Sequence, residues 1–151
     1  MTVSLREINA DTVRSVTDLT VRPEQATFVA SNAVSLAQAL FYKEAWYRAI
    51  YVDEALAGFV MLYDETLRTV PPSKPEVFLW RFMVDTNFQG QGVGKAALGL
   101  VIDHVHAKGV FSAIKTSYVP GPDSPEGFYR KFGFQPTGEI KDEEVVLKLS
   151  L

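Results

Sequence analysis

The sequence predicts one α/β domain with a mixed sheet, and three features of its pattern support this fold class. Predicted strands and helices are interleaved along the 151 residues: a strand, two or three short helices, three strands, a helix, a strand, a helix and two strands. Residues 76–84 are almost entirely apolar, which is typical of a central strand covered on both faces. Residues 93–105 repeat apolar side chains at the spacing of an amphipathic helix.

The elements before the apolar strand are predicted from local patterns. Alternating or β-branched runs indicate strands, and a cap residue followed by helical spacing indicates a helix that proline then ends. In order, they are a strand over 3–8, a helix capped by Asp11 and broken by Pro23, a short helix over 24–29, a helical piece that begins at Ser35, and a hairpin formed by 46–52 and 57–63. Residues 67–75 hold three prolines and are predicted as a loop.

The elements after the apolar strand are predicted in the same way. The helix over 93–105 is expected to end near Gly109. Ser124 is predicted to cap a short helix with proline in its first position, a helix that runs to 131 and ends at Gly133. The remaining segments, 111–118, 135–140 and 143–149, are predicted as strands.

Composition excludes several classes of function. The net charge is −3 and the isoelectric point is near 5.4, which argues against a general nucleic-acid-binding surface. The chain has no cysteine, so disulfides, thiolate metal sites and cysteine nucleophiles are excluded. Its two histidines, His104 and His106, are two residues apart on a predicted helix and would point in different directions, so no metal site is expected. No signal peptide or membrane-spanning run is apparent, and a cytoplasmic protein is expected.

Residues 89–95 read Gln-Gly-Gln-Gly-Val-Gly-Lys and lie between the apolar strand and the long helix. Three glycines allow a tight turn and a close approach of the backbone to a ligand. The N–H groups at a helix start have no partner within the helix, and the helix dipole is positive there. Together with the charge of Lys95, these features predict a site for a diphosphate.

Two other phosphate-binding patterns do not fit this segment. A Walker A loop would need a glycine in place of Gln89 and Ser or Thr in place of Ala96. A dinucleotide-binding fingerprint would need a different last glycine spacing and an acidic residue near Ser112. The remaining structural alternative is a tight strand-to-helix connection with no ligand.

A second motif follows the glycine-rich segment at a characteristic distance. Phe128 and Tyr129 form an aromatic–tyrosine pair, and Gly133 and Phe134 come four and five positions after the tyrosine. With Gln-x-x-Gly-x-Gly over residues 89–94, this order resembles the GNAT superfamily of N-acetyltransferases over essentially the whole chain. The resemblance implies one domain over 1–151, a mostly antiparallel sheet of six to seven strands, about four flanking helices and a splayed central strand pair.

The resemblance also implies acetyl-CoA as the acetyl donor and assigns roles to residues. The diphosphate would bind the N–H groups of residues 91–95, and the pantetheine arm would lie along the apolar strand. Tyr129 matches the family's usual general acid. Many members use a carboxylate of that strand as the base, acting through water; here the only one is Glu76, and deprotonation through ordered water alone is the alternative. Ser124 lies near the place of an asparagine that contacts the cofactor in many members, a position that Pro122 occupies here. The implied cofactor-binding residues are Phe82, Met83, Val84, Gln89, Gly90, Gln91, Gly92, Val93, Gly94, Lys95, Ser124, Phe128 and Tyr129.

For the acceptor, residues 21–29, 35–39 and 81–85 resemble bacterial spermidine/spermine acetyltransferases. A polyamine site requires carboxylates and aromatic faces, and the candidates in this part of the chain are Glu24, Phe28, Glu44 and Trp46. An amino acid, an aminoglycoside or a protein amine remains an alternative acceptor, and a non-catalytic acetyl-CoA sensor is an alternative of another class. Relatives also imply a homodimer through the two closing strands.

Overall fold

Seven strands form a single sheet in the computed structural model, which describes residues 1–151. The strands are β1 (Val3–Arg6), β2 (Ala45–Val52), β3 (Ala55–Asp64), β4 (Val77–Val84), β5 (Ala113–Tyr118), β6 (Gln135–Lys141) and β7 (Glu144–Ser150). The α-helices are α1 (Val13–Thr17), α2 (Asn32–Ala39), α3 (Val93–Ala107) and α4 (Glu126–Phe132). None of these helices is long and apolar enough to cross a membrane.

The strand order in the sheet is β1-β2-β3-β4-β5-β7-β6. Every neighbouring pair is antiparallel except β4 and β5, which run parallel because α3 carries the chain across the sheet between them. This architecture confirms the predicted α/β fold with a mixed, mostly antiparallel sheet and four helices.

The sheet has an apolar core on each face, because side chains alternate between the faces along each strand. Val60 and Leu62 of β3 pack on the face that α3 and α4 cover, where sixteen residues form the larger buried cluster. Phe59 and Met61 of β3 point to the opposite face and pack with Val16 of α1 in a smaller cluster. The long helix α3 buries the side predicted from its spacing.

The central strands β4 and β5 separate after a short contact. They pair only at Phe78 with Lys115 and at Leu79 with Thr116. Trp80 is an extra residue in β4, since Leu79 and Arg81 oppose adjacent residues of β3. Beyond Leu79, therefore, β4 pairs with β3 on one side and has no β5 partner on the other, which confirms the predicted splay.

The position of the separated part of β4 depends on Gly58 of β3. A Cβ atom at Gly58 would collide with the backbone oxygen of Met83, so β3 and β4 approach closely here only because position 58 lacks a side chain. The close approach holds the end of β4 firmly against the sheet on the side away from the gap.

Two predicted features before β2 are corrected. Asp11 does not cap α1: the helix starts after Thr12, and the Asn9 carboxamide oxygen accepts the backbone N–H groups of Asp11 and Thr12. Residues 24–29 form no α-helix, because proline opens only a short 3-10 turn, Pro23–Gln25.

The starts of α2 and α4 also differ from prediction. Helix α2 begins at Asn32 with Ser31 as its cap, and the predicted start, Ser35, lies buried in the helix. Helix α4 begins at Glu126, one residue later than predicted. Ser124 still accepts the Glu126 N–H through its hydroxyl, at 3.5 Å.

Candidate active site

A cavity of about 1460 Å³ lies where β4 and β5 separate. Its walls come from β4, the glycine-rich segment 89–95, the start of α4, the segment 21–30 between α1 and α2, and the connection of β6 to β7. The cavity has two ends, one beside the glycine-rich segment and one beside the start of β4. We call them the glycine-rich end and the aromatic end.

At the glycine-rich end, the backbone adopts left-handed angles that favour glycine. Gly90 has φ 75° and Gly92 has φ 83°, and α3 starts immediately after Gly92. The helix start is therefore open toward the cavity, and the exposed Lys95 lies in the first turn of α3. The backbone N–H groups and this ammonium group suit a polyanionic ligand.

Most of the predicted loop residues line this end, but two side chains do not. Gln89, Gly90, Gly92, Gly94 and Lys95 contribute to the cavity wall. The exposed Gln91 instead donates from its carboxamide to the Asn87 backbone oxygen, at 3.2 Å. The Val93 side chain is buried in the core beneath α3. Only the backbone N–H groups of these two residues remain candidates for ligand binding.

The side chain of Gln89 connects three parts of the site. Its Nε2 donates to the Val84 backbone oxygen and to Oε1 of Gln25, both at 2.9 Å. Gln25 belongs to the 3-10 turn at the edge of the cavity, and its Oε1 also accepts the Arg22 N–H. Gln89 therefore positions the glycine-rich segment against β4 and segment 21–30, through contacts that use up its donor group.

The middle of the cavity is an apolar slot along β4. Phe82, Met83 and Val84 line it, and the ring of Phe82 stacks on that of Phe128 with centroids 6.0 Å apart. Phe128 also lies so close to Gly94 that a Cβ there would come within 3.4 Å of the ring. The backbone of β4 in this slot has no β5 partner, so its edge is open to pairing with an extended ligand.

Tyr129 lies at the inner wall of the slot, on α4. Its ring is 6% exposed and packs against Phe128 and Phe134, with centroids 5.4 and 5.5 Å away. Burial raises the pKa of the Tyr129 hydroxyl to about 12, an effect that interaction with the Thr116 side chain partly opposes. The phenol is therefore protonated at neutral pH and available as a hydrogen donor to a group in the cavity.

Two further predicted residues lie on the wall in different surroundings. Ser124 faces the cavity, but its hydroxyl is engaged by the Glu126 N–H, as a helix-capping group would be. Glu76 lies at the aromatic end, where its carboxylate is 69% exposed and 3.6 Å from the Lys115 ammonium group. Its surroundings are those of a solvated ion pair at a strand end, not of a secluded base.

The aromatic end contains three rings that sequence analysis did not bring together. Tyr42, Tyr63 and Trp80 contact one another edge to face, with centroids 5.3 to 6.2 Å apart. They come from the segment before β2, from β3 and from β4, so no sequence spacing relates them. Glu65 lies beside them, bonded to the Glu76 N–H at 2.7 Å and to the Arg68 guanidinium group at 3.2 Å.

Of the four predicted acceptor residues, only Phe28 lines the cavity, where its ring packs against Gly121. Glu24 is exposed outside it. The Glu44 carboxylate pairs with Arg68 at 2.8 Å and accepts a hydrogen bond from the Tyr63 hydroxyl at 3.0 Å. These contacts lower the pKa of Glu44, and the contact with Arg68 has the larger effect. Trp46 packs on the opposite face of the sheet.

The surroundings of Trp46 exclude contact with a ligand in this cavity. Its ring stacks on His104 of α3 with centroids 4.2 Å apart, and the Arg48 guanidinium group lies over its other face. Sequence alone does not show which face of the sheet an aromatic residue near the start of β2 points to, because the register of the strand pairing decides it. Trp46, Glu24 and Glu44 therefore do not line the cavity, contrary to the prediction that they contact the acceptor.

The chain matches one family model and two curated proteins. Residues 13–134 match the model of the Acetyltransferase (GNAT) family. The chain is 29% identical to the spermine/spermidine N(1)-acetyltransferase of Bacillus subtilis strain 168, over 98% of this chain and 99% of that protein. A protein of Bacillus subtilis subsp. natto strain BEST195, named as a probable spermine N(1)-acetyltransferase, matches with the same identity and coverage.

Among solved structures, the PaiA N-acetyltransferase from Thermoplasma acidophilum in complex with coenzyme A has the same fold. The two superpose with a TM-score of 0.71 and 14% sequence identity, and the match covers 100% of each chain.

Proposed function

The chain belongs to the GNAT acetyltransferase family and is an acetyl-CoA-dependent N-acetyltransferase; on that premise we propose that it acetylates a primary amine of a polyamine such as spermidine or spermine. The observation that carries the choice of acceptor is the match to two polyamine acetyltransferases over nearly the whole of both chains. The aromatic end of the cavity, with three rings and nearby carboxylates, supports it.

For the donor, we assign the glycine-rich end and the apolar slot to acetyl-CoA. The diphosphate binds the N–H groups of residues 91–95 at the start of α3 and the ammonium group of Lys95. The pantetheine arm lies along Phe82–Val84, where the unpaired edge of β4 offers backbone donors and acceptors. This placement brings the thioester near the last paired residues, Leu79 and Thr116, and thus near Tyr129.

Acetyl transfer then follows from holding the thioester and the amine together. Well-oriented reactants reach effective molarities of about 10⁵ M or more, which accounts for much of the rate. The neutral amine attacks the thioester carbon, the carbon–sulfur bond breaks, and Tyr129 protonates the departing thiolate. A thiol has a pKa of about 8.5, so a phenol with its pKa raised to about 12 remains protonated until it is needed.

For the acceptor, we assign the remote ammonium group of the polyamine to the aromatic end. The faces of Tyr42 and Tyr63 attract a cation through their quadrupoles, whereas the Arg81 guanidinium group already lies 5.5 Å from the Trp80 ring centroid. Asp142 and Glu144, on the connection of β6 to β7, also line the cavity and add negative charge to it. Each ring contact contributes about 0.5 to 2 kcal/mol, depending on how far the cation is desolvated.

The test is CoA release from acetyl-CoA with a panel of amines: spermidine, spermine, a short monoamine, amino acids, an aminoglycoside and a peptide with a free N-terminus. Selective turnover of spermidine or spermine is expected. Turnover restricted to another class would contradict the polyamine assignment, and acetyl-CoA binding without any turnover would favour a sensor.

Replacing Tyr42 by leucine is expected to raise the KM of spermidine about fivefold with little change in the KM of acetyl-CoA, because a cation–π contact is lost. Phe41→Leu is the matched control, since Phe41 is the neighbouring residue, is 82% exposed and does not line the cavity. Steady-state kinetics with both substrates varied measure the effect. Equal KM values of spermidine in the two variants would contradict a role of the aromatic end in acceptor binding.

We also propose a homodimer that pairs copies through β6. This strand is the edge of the sheet, all seven of its residues are exposed, and Ile140 is 71% exposed. An open edge strand is a template for pairing with a second chain. Light scattering after size exclusion should give twice the 16.8 kDa chain mass, and Ile140→Lys should give the monomer mass. A native monomer would contradict this assignment.

A further inference from the structure

Arg81 lies in β4 at the place where the proposed reaction occurs. It comes two residues after Leu79, the last residue of β4 that pairs with β5, and it opposes Met61 of β3. Its side chain lines the cavity on the side of α2, whereas Tyr129 lines it from α4, on the other face of the sheet. Arg81 therefore lies on the side from which the acceptor approaches.

The guanidinium group of Arg81 has no anionic partner. Nη1 donates to the Trp80 backbone oxygen at 3.0 Å and Nη2 to Oε1 of Gln38 at 3.1 Å. The Nε–H is buried and has no hydrogen-bond partner. Burial lowers the Arg81 pKa, and the negative charge of Glu144 partly opposes this; an arginine still remains charged in a protein. The result is a half-buried positive charge that lies over the Trp80 ring, has one buried N–H without a partner and is neutralised by no carboxylate.

The other charged groups that line this part of the cavity have a polar partner or are exposed to solvent. Glu65 pairs with Arg68, Glu76 pairs with Lys115, and Glu144 accepts from the Ser117 hydroxyl at 3.1 Å. Asp142 and Lys141 are both exposed on the connection of β6 to β7, and the Lys141 ammonium group lies 6.0 Å from the Phe78 ring centroid. Gln38 of α2, which faces Arg81 directly, is uncharged.

From this arrangement we infer that Arg81 promotes loss of a proton from the acceptor ammonium group, and so does part of the work of a general base. The physical reason is that a nearby half-buried positive charge without an anionic partner disfavours a second positive charge more than it disfavours the neutral amine. Such a role is needed because Glu76, the only carboxylate in residues 76–84, is exposed and paired with Lys115. Glu76 is therefore poorly placed to act as the base. The inference rests on the acetyltransferase activity but not on the choice of a polyamine.

The proton balance of the reaction is complete without a protein base. The ammonium group releases one proton to water in the cavity, and the neutral nitrogen forms the new bond to the thioester carbon. The nitrogen of the adduct then carries one proton too many, which it also gives to water. As the carbon–sulfur bond breaks, Tyr129 gives its proton to the sulfur and takes one back from water. The net products are the amide, CoA and one proton released to solvent.

The test is the pH dependence of kcat, because its acid limb reports ionisation in the complex with substrate. Native enzyme, Arg81→Gln and Arg81→Lys are compared from about pH 6 to about pH 10 at saturating acetyl-CoA. The acceptor is whichever amine of the panel the native enzyme turns over fastest. The acid limb of Arg81→Gln is expected to move up by about one pH unit, with kcat recovering at high pH, and Arg81→Lys is expected to keep the native limb.

A second readout separates this role from a structural one. Without the repulsive charge, Arg81→Gln should bind the cationic amine no less tightly, so its KM should stay equal or fall while kcat near neutral pH falls. Gln38→Leu, which removes a contact of the guanidinium group but keeps its charge, should retain the native limb.

Two results would overturn the inference. One is an unshifted acid limb in Arg81→Gln, whether kcat is unchanged or reduced equally at every pH. The other is a loss of turnover confined to amines that carry a carboxylate, which would assign Arg81 to anion binding. A failure of the polyamine proposal is recognised separately, because it appears in the native panel before any Arg81 variant is measured.

Discussion

Replacing Tyr129 by phenylalanine is expected to lower kcat by at least about tenfold and to leave the affinity for acetyl-CoA nearly unchanged. General acid catalysis contributes about 10²- to 10⁴-fold where proton transfer limits the rate, and the loss is smaller where water can protonate the thiolate. The ring is packed between Phe128 and Phe134, so phenylalanine preserves the contacts and removes only the hydroxyl. Steady-state kinetics and a binding titration with acetyl-CoA measure the two effects.

Tyr118→Phe is the matched control for this experiment. Tyr118 has the same residue exposure, 6%, and is the last residue of β5; its hydroxyl lies beside Glu126 and Arg130, and it does not line the cavity. Its variant should keep native kcat. Because the Tyr129 pKa is about 12, the native enzyme should show no loss of activity from this group below about pH 11. If Tyr129→Phe keeps kcat within about twofold of the control, the assignment of Tyr129 as the acid is wrong.

Replacing Gly92 by alanine is expected to raise the KM of acetyl-CoA about tenfold and to change kcat little. Gly92 has φ 83°, and a residue with a Cβ atom loses about 1 to 2 kcal/mol in the left-handed region. The chain relieves this strain by turning the peptides at the start of α3, which moves the N–H groups that are proposed to bind the diphosphate. Initial rates with acetyl-CoA varied, and calorimetry with CoA, measure the loss.

Gly99→Ala provides the control in the same helix. Gly99 lies inside α3, and a Cβ atom there would meet no other atom within 4 Å. Alanine is the better helix former by about 1 kcal/mol, so this variant should melt at a higher temperature with native KM. If Gly92→Ala leaves the KM of acetyl-CoA unchanged and only lowers the melting temperature, the loop is a structural turn and the diphosphate binds elsewhere.

The proposed cofactor side of the site was accessible from sequence because its chemistry is local. Three glycines, a helix start and a lysine within seven residues already predict an anion-binding site, and in the structure that helix start faces the cavity. Tyr129 could be singled out for the same reason, since its motif spans seven consecutive residues from Phe128 to Phe134. The apolar strand and the amphipathic helix were likewise read from periodicities that their own backbone imposes.

The proposed acceptor side was not accessible in this way because its residues come from separate elements. Tyr42, Tyr63 and Trp80 meet only through the pairing of β3 with β4 and the path of the segment after α2. Trp46, an equally plausible aromatic residue, faces the other side of the sheet because strand register decides side-chain direction.

The sequence by itself therefore determined the fold class, the family resemblance and the donor, and it singled out Tyr129 as the candidate general acid, since each is encoded in contiguous residues. Only the tertiary structure decided which aromatic rings share the cavity, that Glu44 is occupied by Arg68, and that Arg81 carries an unpaired charge beside the splayed strands. The physical reason is that periodicity and capping act within a few residues of the chain. Burial, ion pairing and cavity shape, in contrast, depend on contacts between strands and helices that are far apart in sequence.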